Sequence, residues 1–262
     1  MAKKINTSSN VYTIAYAAIM VVIVAFLLVF VSSSLKERQT ANVINDTKQQ
    51  ILYSLNYEKL ADVATEYDNV IKGDYLMTPD GSASEYDGEF QTSYSSEFKD
   101  GNYHVFVAEI EGEVKYVIPM NGQGLWGAIW GYIALNEDRN TIYGVYFSHA
   151  SETPGLGAEI KENKSFQQSF QGKKVTDEGQ IAINLVKFNT ADKSSSYEVD
   201  GVSGATMTSN GVNKMMNDVL TAYLPFLTGA AHQCEHCAHH GEGECAHEHA
   251  EGEECEHDHN AE

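Results

Sequence analysis

The chain reads as an α+β protein with three parts: a single N-terminal transmembrane helix, an antiparallel-sheet domain with helices packed on it, and a disordered tail. Three observations predict this. Residues Val11 to Val31 carry no charge. Two pairs of β-rich segments follow one another across turn residues. All four cysteines lie from Cys234 onward, so everything before them uses neither disulfides, nor cysteine-ligated clusters, nor a thiol nucleophile.

The apolar run VYTIAYAAIMVVIVAFLLVFV predicts a membrane helix over 11–31, after a short N-terminal segment, 1–10. At about 1.5 Å per residue it spans roughly 32 Å, which matches a hydrocarbon core of about 30 Å. Tyr12 and Tyr16 stand where interfacial aromatics belong. A cleaved signal peptide is the alternative, but its apolar stretch is normally about 7–15 residues, and Ser32-Ser33-Ser34 is a poor cleavage site. Lys3 and Lys4 precede the span while Lys36 and Arg38 follow it, so positive charge does not choose an orientation.

Beyond the span, Leu35, Ile44, Ile51, Leu52 and Leu55 are spaced among polar residues as in an amphipathic helix leaving the membrane. Residues 73–101 are rich in Gly, Ser, Asp and Tyr without a sustained period, and are expected to be loop with short irregular elements. Strands are predicted at His104–Ile110 and Val114–Ile118 around Glu111-Gly112. A second pair is predicted at Ile129–Leu135 and Thr141–Phe147. The last helix has the clearest pattern: Val212, Met215, Met216, Val219, Leu220 and Tyr223 form one apolar stripe, read as core packing. Thr208-Ser209-Asn210 would cap its start and Pro225 would end it. Residues 36–228 thus make one domain.

The chain carries 37 acidic and 17 basic residues, a formal charge of −20. Such a surface does not seek nucleic-acid phosphates, whose binding requires basic side chains to displace counterions. Ten of the acids lie between His232 and Glu262 with no base among them, so the charge divides between two different objects.

The candidate chemistry lies just before the last helix, in Asp200-Gly201-Val202-Ser203-Gly204-Ala205-Thr206-Met207-Thr208-Ser209. Small residues and hydroxyls against a helix N-terminus suit an anion, because free N–H groups and the positive dipole end face it. Gly204 and Ala205 would let a ligand approach the backbone closely. An ordinary helix cap after a glycine turn is the alternative. The spacing fits neither a P-loop nor a Rossmann fingerprint. Glu152-Thr153-Pro154-Gly155-Leu156-Gly157 holds a Pro-Gly turn signal, with backbone amides and Leu156 free to approach a flat ring. By itself it is also consistent with a plain surface turn. His104 and His149 are expected in strand packing or a loop hydrogen bond rather than in proton transfer.

The segment Asp-x-x-Ser-Gly-Ala-Thr-x-Thr resembles the motif at which a flavin transferase attaches FMN, through its phosphate, to the last threonine, here Thr208. Glu152 to Gly157 resembles a loop of the same FMN-binding domain. Gly124-Leu125-Trp126-Gly127 resembles a third segment, found in the C subunits of the sodium-pumping NADH:quinone reductase family. Together with the anchor, the resemblance covers residues 1 to about 228. It implies covalent FMN on Thr208, with Asp200, Ser203, Gly204, Ala205 and Thr206 in the attachment motif. It also implies flavin contact by Glu152, Thr153 and Leu156. Lys187 falls where the family has a lysine near the flavin, and a cation there would stabilise a reduced, anionic ring. A solvated strand lysine is the alternative, and the stretch Ala191 to Tyr197 is longer than the family spacing. The resemblance further implies an electron carrier of a redox pump, passing electrons from NADH toward quinone with subunits A, B, D, E and F as partners. The domain would face the periplasm from the bacterial inner membrane. The G subunit of the Rnf complex is the nearest alternative, and the Gly124–Gly127 segment favours the quinone reductase.

From 229 to 262 the composition changes. Cys234, His236 and Cys237 are followed by Cys245, His247 and His249, then by Cys255, His257 and His259. Thiolates and imidazoles at this density suit Zn, Cu or Ni, although the spacings match no standard zinc module. With almost no apolar residues, the segment is expected to be disordered. It is read as a metal-binding tail, with a solvated extension or periplasmic disulfides as the alternatives. A membrane-tethered metal-binding protein, its threonine motif merely a helix cap, is the competing class.

Overall fold

In the computed structural model of the protein, the apolar run and the amphipathic segment behind it form one unbroken helix, α1 (Asn10–Ser54). The structure describes residues 10–58, 60–77 and 83–229. The nine ligand positions proposed for the tail lie outside the described residues. Among the described residues no group of three or more His, Cys, Asp and Glu is placed to hold a metal ion.

The two ends of α1 meet different surroundings. Its apolar stretch is exposed throughout, with Ile14, Val22, Phe26 and Leu28 all open. Such a surface suits lipid, and by length and composition α1 can cross a membrane. Its last turns instead bury Ile51 and Leu52 completely. Gln50 accepts the Trp130 indole N–H at 2.8 Å, tying the helix to the sheet. The apolar helix is therefore continuous with a segment that packs in the core.

After α1 come α2 (Val63–Val70), β1 (Ile71–Met77), β2 (Ala83–Glu85) and α3 (Ser95–Asp100). Asp62 caps α2 by accepting the Ala64 N–H at 3.1 Å. Then follow β3 (Tyr103–Ile110), β4 (Glu113–Gln123), β5 (Ala128–Leu135) and β6 (Ile142–His149). The first six strands form one sheet in the order β2-β1-β3-β4-β5-β6, with every neighbouring pair antiparallel. Among the described residues of 73–101, the short elements β2 and α3 lie in loop as expected, but the stretch begins inside a strand. Ile71–Met77 is a full strand between β2 and β3, hidden in the sequence by Gly73 and Asp74, and its register shifts between Ile71 and Gly73.

Both sheet faces are covered, because alternate strand residues point to opposite sides. Phe106, Val117, Tyr132 and Ala134 pack with the end of α1 and with α2. Val105, Ile118, Ile133 and Phe147 face the opposite layer. That layer holds α4 (Glu159–Glu162), α5 (Lys164–Gln168), the short strands β7 (Thr176–Asp177) and β8 (Gln180–Ile181), the parallel pair β9 (Asn184–Val186) and β10 (Glu198–Asp200), then α6 (Thr206–Ala222) and α7 (Leu224–Leu227). The stripe of α6 is core as predicted, with Val212, Met215, Met216 and Leu220 buried. Gly122 lets Met215 lie against β4: a Cβ there would stand 2.6 Å from that of Met215.

One boundary differs from expectation in a way that matters for the site. Helix α6 starts at Thr206, and its N-cap is Ala205, which makes no side-chain capping bond. Thr208 and Ser209 lie inside the first turn because tertiary partners claim both hydroxyls. At the other end α6 stops at Ala222, and Pro225 opens α7 rather than following a terminus directly.

Phe147 is fully buried against Phe166 and Phe170, with ring centroids 6.0 and 5.4 Å away. Phe147→Ala is expected to cost about 3–5 kcal/mol of stability, as for other buried phenylalanines. Urea denaturation of the two proteins measures it.

Candidate functional site

The sheet topology brings three separate sequence segments to one edge. Gly124–Gly127 is the turn joining β4 to β5, closed by the Gly124 N–H donating to the Gly127 carbonyl at 2.8 Å. Residues 150–157 leave the end of β6, the strand paired with β5, and the Ala150 N–H still donates to the Ala128 carbonyl at 2.9 Å. Helix α6 lays its first turns across the same edge. Gly211 makes this possible, since a Cβ there would stand 2.5 Å from the Gln123 carbonyl oxygen.

Glu152 lies at the junction. It is 4% exposed, and each carboxylate oxygen has a partner. Oε1 accepts the Trp126 N–H at 2.8 Å. Oε2 accepts the Thr208 hydroxyl at 2.6 Å. Burial pushes the Glu152 carboxyl up, but hydrogen bonds from Thr208, Trp126 and Gly127, with His149 nearby, outweigh it and hold the group below its ordinary value. The loop backbone is fixed as well: the Glu152 N–H donates to His149 Nδ1 at 3.2 Å, and the Ser151 hydroxyl donates to the Trp126 carbonyl at 3.1 Å. His149 is therefore a loop hydrogen-bond acceptor. His104 lies elsewhere, buried on β3 beside Asp74.

Two glycines make room for this arrangement. A Cβ at Gly124 would stand 2.5 Å from Glu152 Oε1, and one at Gly157 would stand 2.6 Å from Thr208 Oγ1. Thr208 is 1% exposed, enclosed by Glu152 and the Gly157 backbone. Around it the surface is unusually apolar, with Leu125 48%, Trp126 67%, Leu156 45% and Met207 60% exposed.

The remaining residues of the motif shape this corner. Gly204 has φ +73°, the left-handed region that favours glycine, and Leu156 Cδ2 would meet a Cβ there at 3.0 Å. Ala205 is buried while Ser203 and Thr206 are exposed at the helix start. The Ser209 hydroxyl accepts the Val202 N–H at 2.9 Å and ties the incoming loop to α6. The exposed Thr153 acts through its carbonyl, which accepts N–H groups of Leu156 and Ala158, both at 3.1 Å. Asp200 works one step away from the hydroxyl. It accepts the N–H groups of Thr190 and Ala191, both at 2.9 Å, and holds the turn after β9. Lys187 is exposed at the start of that turn. The Gly201 N–H donates to the Val186 carbonyl at 2.8 Å, which sets Lys187 beside the motif. The amides of Trp126 and Gly127 and the hydroxyl of Ser209 could not have been assigned from sequence, because their partners lie 26, 25 and 7 residues away.

The chemistry of this donor set fits a phosphorylated planar group. The first N–H groups of α6 lack a side-chain cap and lie at the positive end of the helix dipole. A threonine hydroxyl stands in that first turn, and exposed apolar side chains, Trp126 among them, lie on the three converging segments. A family model for an FMN-binding domain matches residues 124–221, the span from the Gly124 turn to the last turn of α6. The C subunit of the Na(+)-translocating NADH-quinone reductase from Vibrio alginolyticus is 32% identical over 200 residues, covering 68% of this chain and 77% of that protein. Its counterpart from Chlamydia muridarum is 39% identical over 127 residues, 43% of this chain and 40% of its own length. The crystal structure of the counterpart from Parabacteroides distasonis superposes with a TM-score of 0.69 at 40% identity, over 74% of this chain and 97% of the other. NqrC of Shewanella oneidensis, at 23% identity, shares the fold with a TM-score of 0.61 over 72% of this chain and 99% of its own. The chain belongs to the family formed by the C subunits of the Na(+)-translocating NADH-quinone reductase, which decides against the Rnf subunit raised by the sequence.

The depressed carboxyl of Glu152 has a consequence for stability. A group whose pKa falls on folding stabilises the fold above its unfolded value, and that contribution disappears as pH falls through the folded value. Wild type is therefore expected to exceed Glu152→Gln in stability at neutral pH. The gap should narrow as pH drops below the ordinary carboxylate range. Urea denaturation of both proteins across that range measures it.

Proposed function

We propose that the protein carries FMN covalently, as a phosphoester on Thr208, and relays electrons from NADH toward quinone within a sodium-pumping reductase. The observation that carries this reading is the convergence of the Gly124 turn, the Glu152–Gly157 loop and the uncapped start of α6 on one threonine hydroxyl. FMN supplies the capacity to accept and donate electrons. The chain supplies position, electrostatics and control of solvent. Attachment by the phosphate end fixes the cofactor at the helix N-terminus, where the dipole favours the phosphate's charge. Leu125, Trp126, Leu156 and Met207, exposed around the site, offer apolar surface to the ring. Lys187, exposed beside the motif, would favour a reduced, anionic ring.

The partners in this reading are subunits A, B, D, E and F, a flavin transferase for maturation, and the lipid of the bacterial inner membrane. The helix α1 tethers the domain beside its neighbours at high effective concentration, with the domain on the periplasmic side. No nucleic acid is involved. In gel electrophoresis under denaturing conditions, wild type produced with a flavin transferase should give yellow fluorescence that stays with the band. Thr208→Val should abolish it, and a band that remains fluorescent in that variant rules out Thr208 as the attachment point.

The domain in this reading ends near Thr228, and the Cys/His tail is a separable metal-binding appendage taking Zn, Cu or Ni. Truncation after Thr228 is expected to leave flavin loading unchanged and to remove bound metal, measured by fluorescence and by elemental analysis. Loss of flavin on truncation contradicts separability.

A further inference from the structure

We propose that Glu152 is the proton acceptor for the modification of Thr208, rather than a ligand of the flavin ring. This rests on the reading that Thr208 carries the flavin. Ring contact is a poor use of this side chain, because it is buried and both oxygens are engaged, Oε1 by the Trp126 N–H and Oε2 by the Thr208 hydroxyl. The geometry is that of a base poised on a nucleophile. Thr208 Oγ1 and Glu152 Oε2 stand 2.6 Å apart, within the reach proton transfer requires, and the carboxylate is oriented in turn by backbone amides. Backbone N–H groups cannot titrate away, so they keep the acceptor ionised and in place.

The reaction balances as follows. Thr208 Oγ1 attacks the phosphorus that bears the riboflavin moiety, forming a new O–P bond. Condensation with a simple phosphate monoester would have to expel water, which is unfavourable in water. The donor is therefore a flavin dinucleotide: its pyrophosphate P–O bond breaks, and the nucleoside monophosphate leaves with the electron pair. The Thr208 proton passes to Glu152 and then to solvent. No oxidation or reduction occurs. A carboxylate that accepts the proton of an attacking hydroxyl is a recurrent part of phosphoryl-transfer sites.

Access to Oγ1 demands one movement. The Gly157 backbone closes over the hydroxyl, so residues 153–157 must move outward for the phosphorus to approach. That loop is suited to this, since Thr153, Pro154, Gly155 and Leu156 are all exposed. Glu152 itself stays held by the Gly124–Gly127 turn. Once the ester has formed, Oγ1 has no hydrogen to donate, and an anionic phosphate would stand beside the carboxylate. The Glu152–Thr208 contact is thus a feature of the unmodified chain and is broken by its own product.

The test is the initial rate of flavin incorporation into purified, unmodified full-length protein, given flavin adenine dinucleotide and a flavin transferase and followed by intact mass. Glu152→Gln keeps the shape of the side chain and removes its basicity, and the rate is expected to fall about 10²-fold or more. Glu152→Asp keeps the charge on a shorter stem and should recover part of it. Thermal melting of each variant reports whether it folds. If Glu152→Gln does not fold, Glu152→Asp serves instead. Its shorter stem draws the carboxylate back from Oγ1, and incorporation in the folded variant should fall below the wild-type rate. A wild-type rate in folded Glu152→Gln, or in Glu152→Asp where Glu152→Gln does not fold, overturns the proposal. Wild type that takes up no flavin at all overturns the underlying reading of Thr208 instead, so the two failures are distinguishable.

Discussion

The candidate site depends on one buried carboxylate. An ionised glutamate inside a protein is costly unless it is paired and hydrogen-bonded, and Glu152 has its partners only if three segments meet. The Gly124 turn must present its amides, the loop after β6 must bring the side chain inward, and the first turn of α6 must offer the Thr208 hydroxyl. The need to satisfy this one charge therefore couples the register of β4, β5 and β6 to the placement of α6. The same need explains the glycines. At Gly124 and Gly157 a Cβ would collide with the carboxylate or the hydroxyl, so their role is space rather than backbone conformation.

From that junction the rest of the fold serves as support. The antiparallel sheet is covered on both faces, which makes its β4–β5–β6 edge a rigid platform for the loops. The end of α1 packs on one face and α6 on the other, so each lies in its own hydrophobic cluster with the sheet between them. In the proposed role of electron carrier, a helix that runs unbroken from the apolar stretch into the domain would hold the domain close to its partners.

Much of this was legible in the sequence wherever local pattern and tertiary demand agree. The apolar run, the two strand pairs and the stripe of α6 are periodic, and each is an element in the structure. The strand Ile71–Met77 was not legible: Gly73 and Asp74 interrupt its pattern, and its place is set by pairing with β3, which no local period encodes. The start of α6 was misplaced for a related reason. Thr208 and Ser209 look like caps, but the first gives its hydroxyl to Glu152, 56 residues away, and the second takes the Val202 N–H. Helix entry falls instead to Ala205, which has nothing to cap with. The missing cap that defeats the local rule leaves the first N–H groups of the helix without a side-chain partner.

Asp200 marks the limit of motif-based assignment. It belongs by sequence to the motif before α6, yet its carboxylate holds the turn at Thr190 and Ala191 rather than reaching Thr208. The central claim is that all these elements converge to present one hydroxyl for attachment. Peptide mass spectrometry of the flavin-loaded protein tests this most directly, because digestion after Lys193 and Lys214 isolates a segment that contains Thr208. The mass of FMN less one water is expected on that segment, with fragmentation placing it on Thr208. Flavin bound covalently to the protein while that segment is recovered unmodified would contradict it.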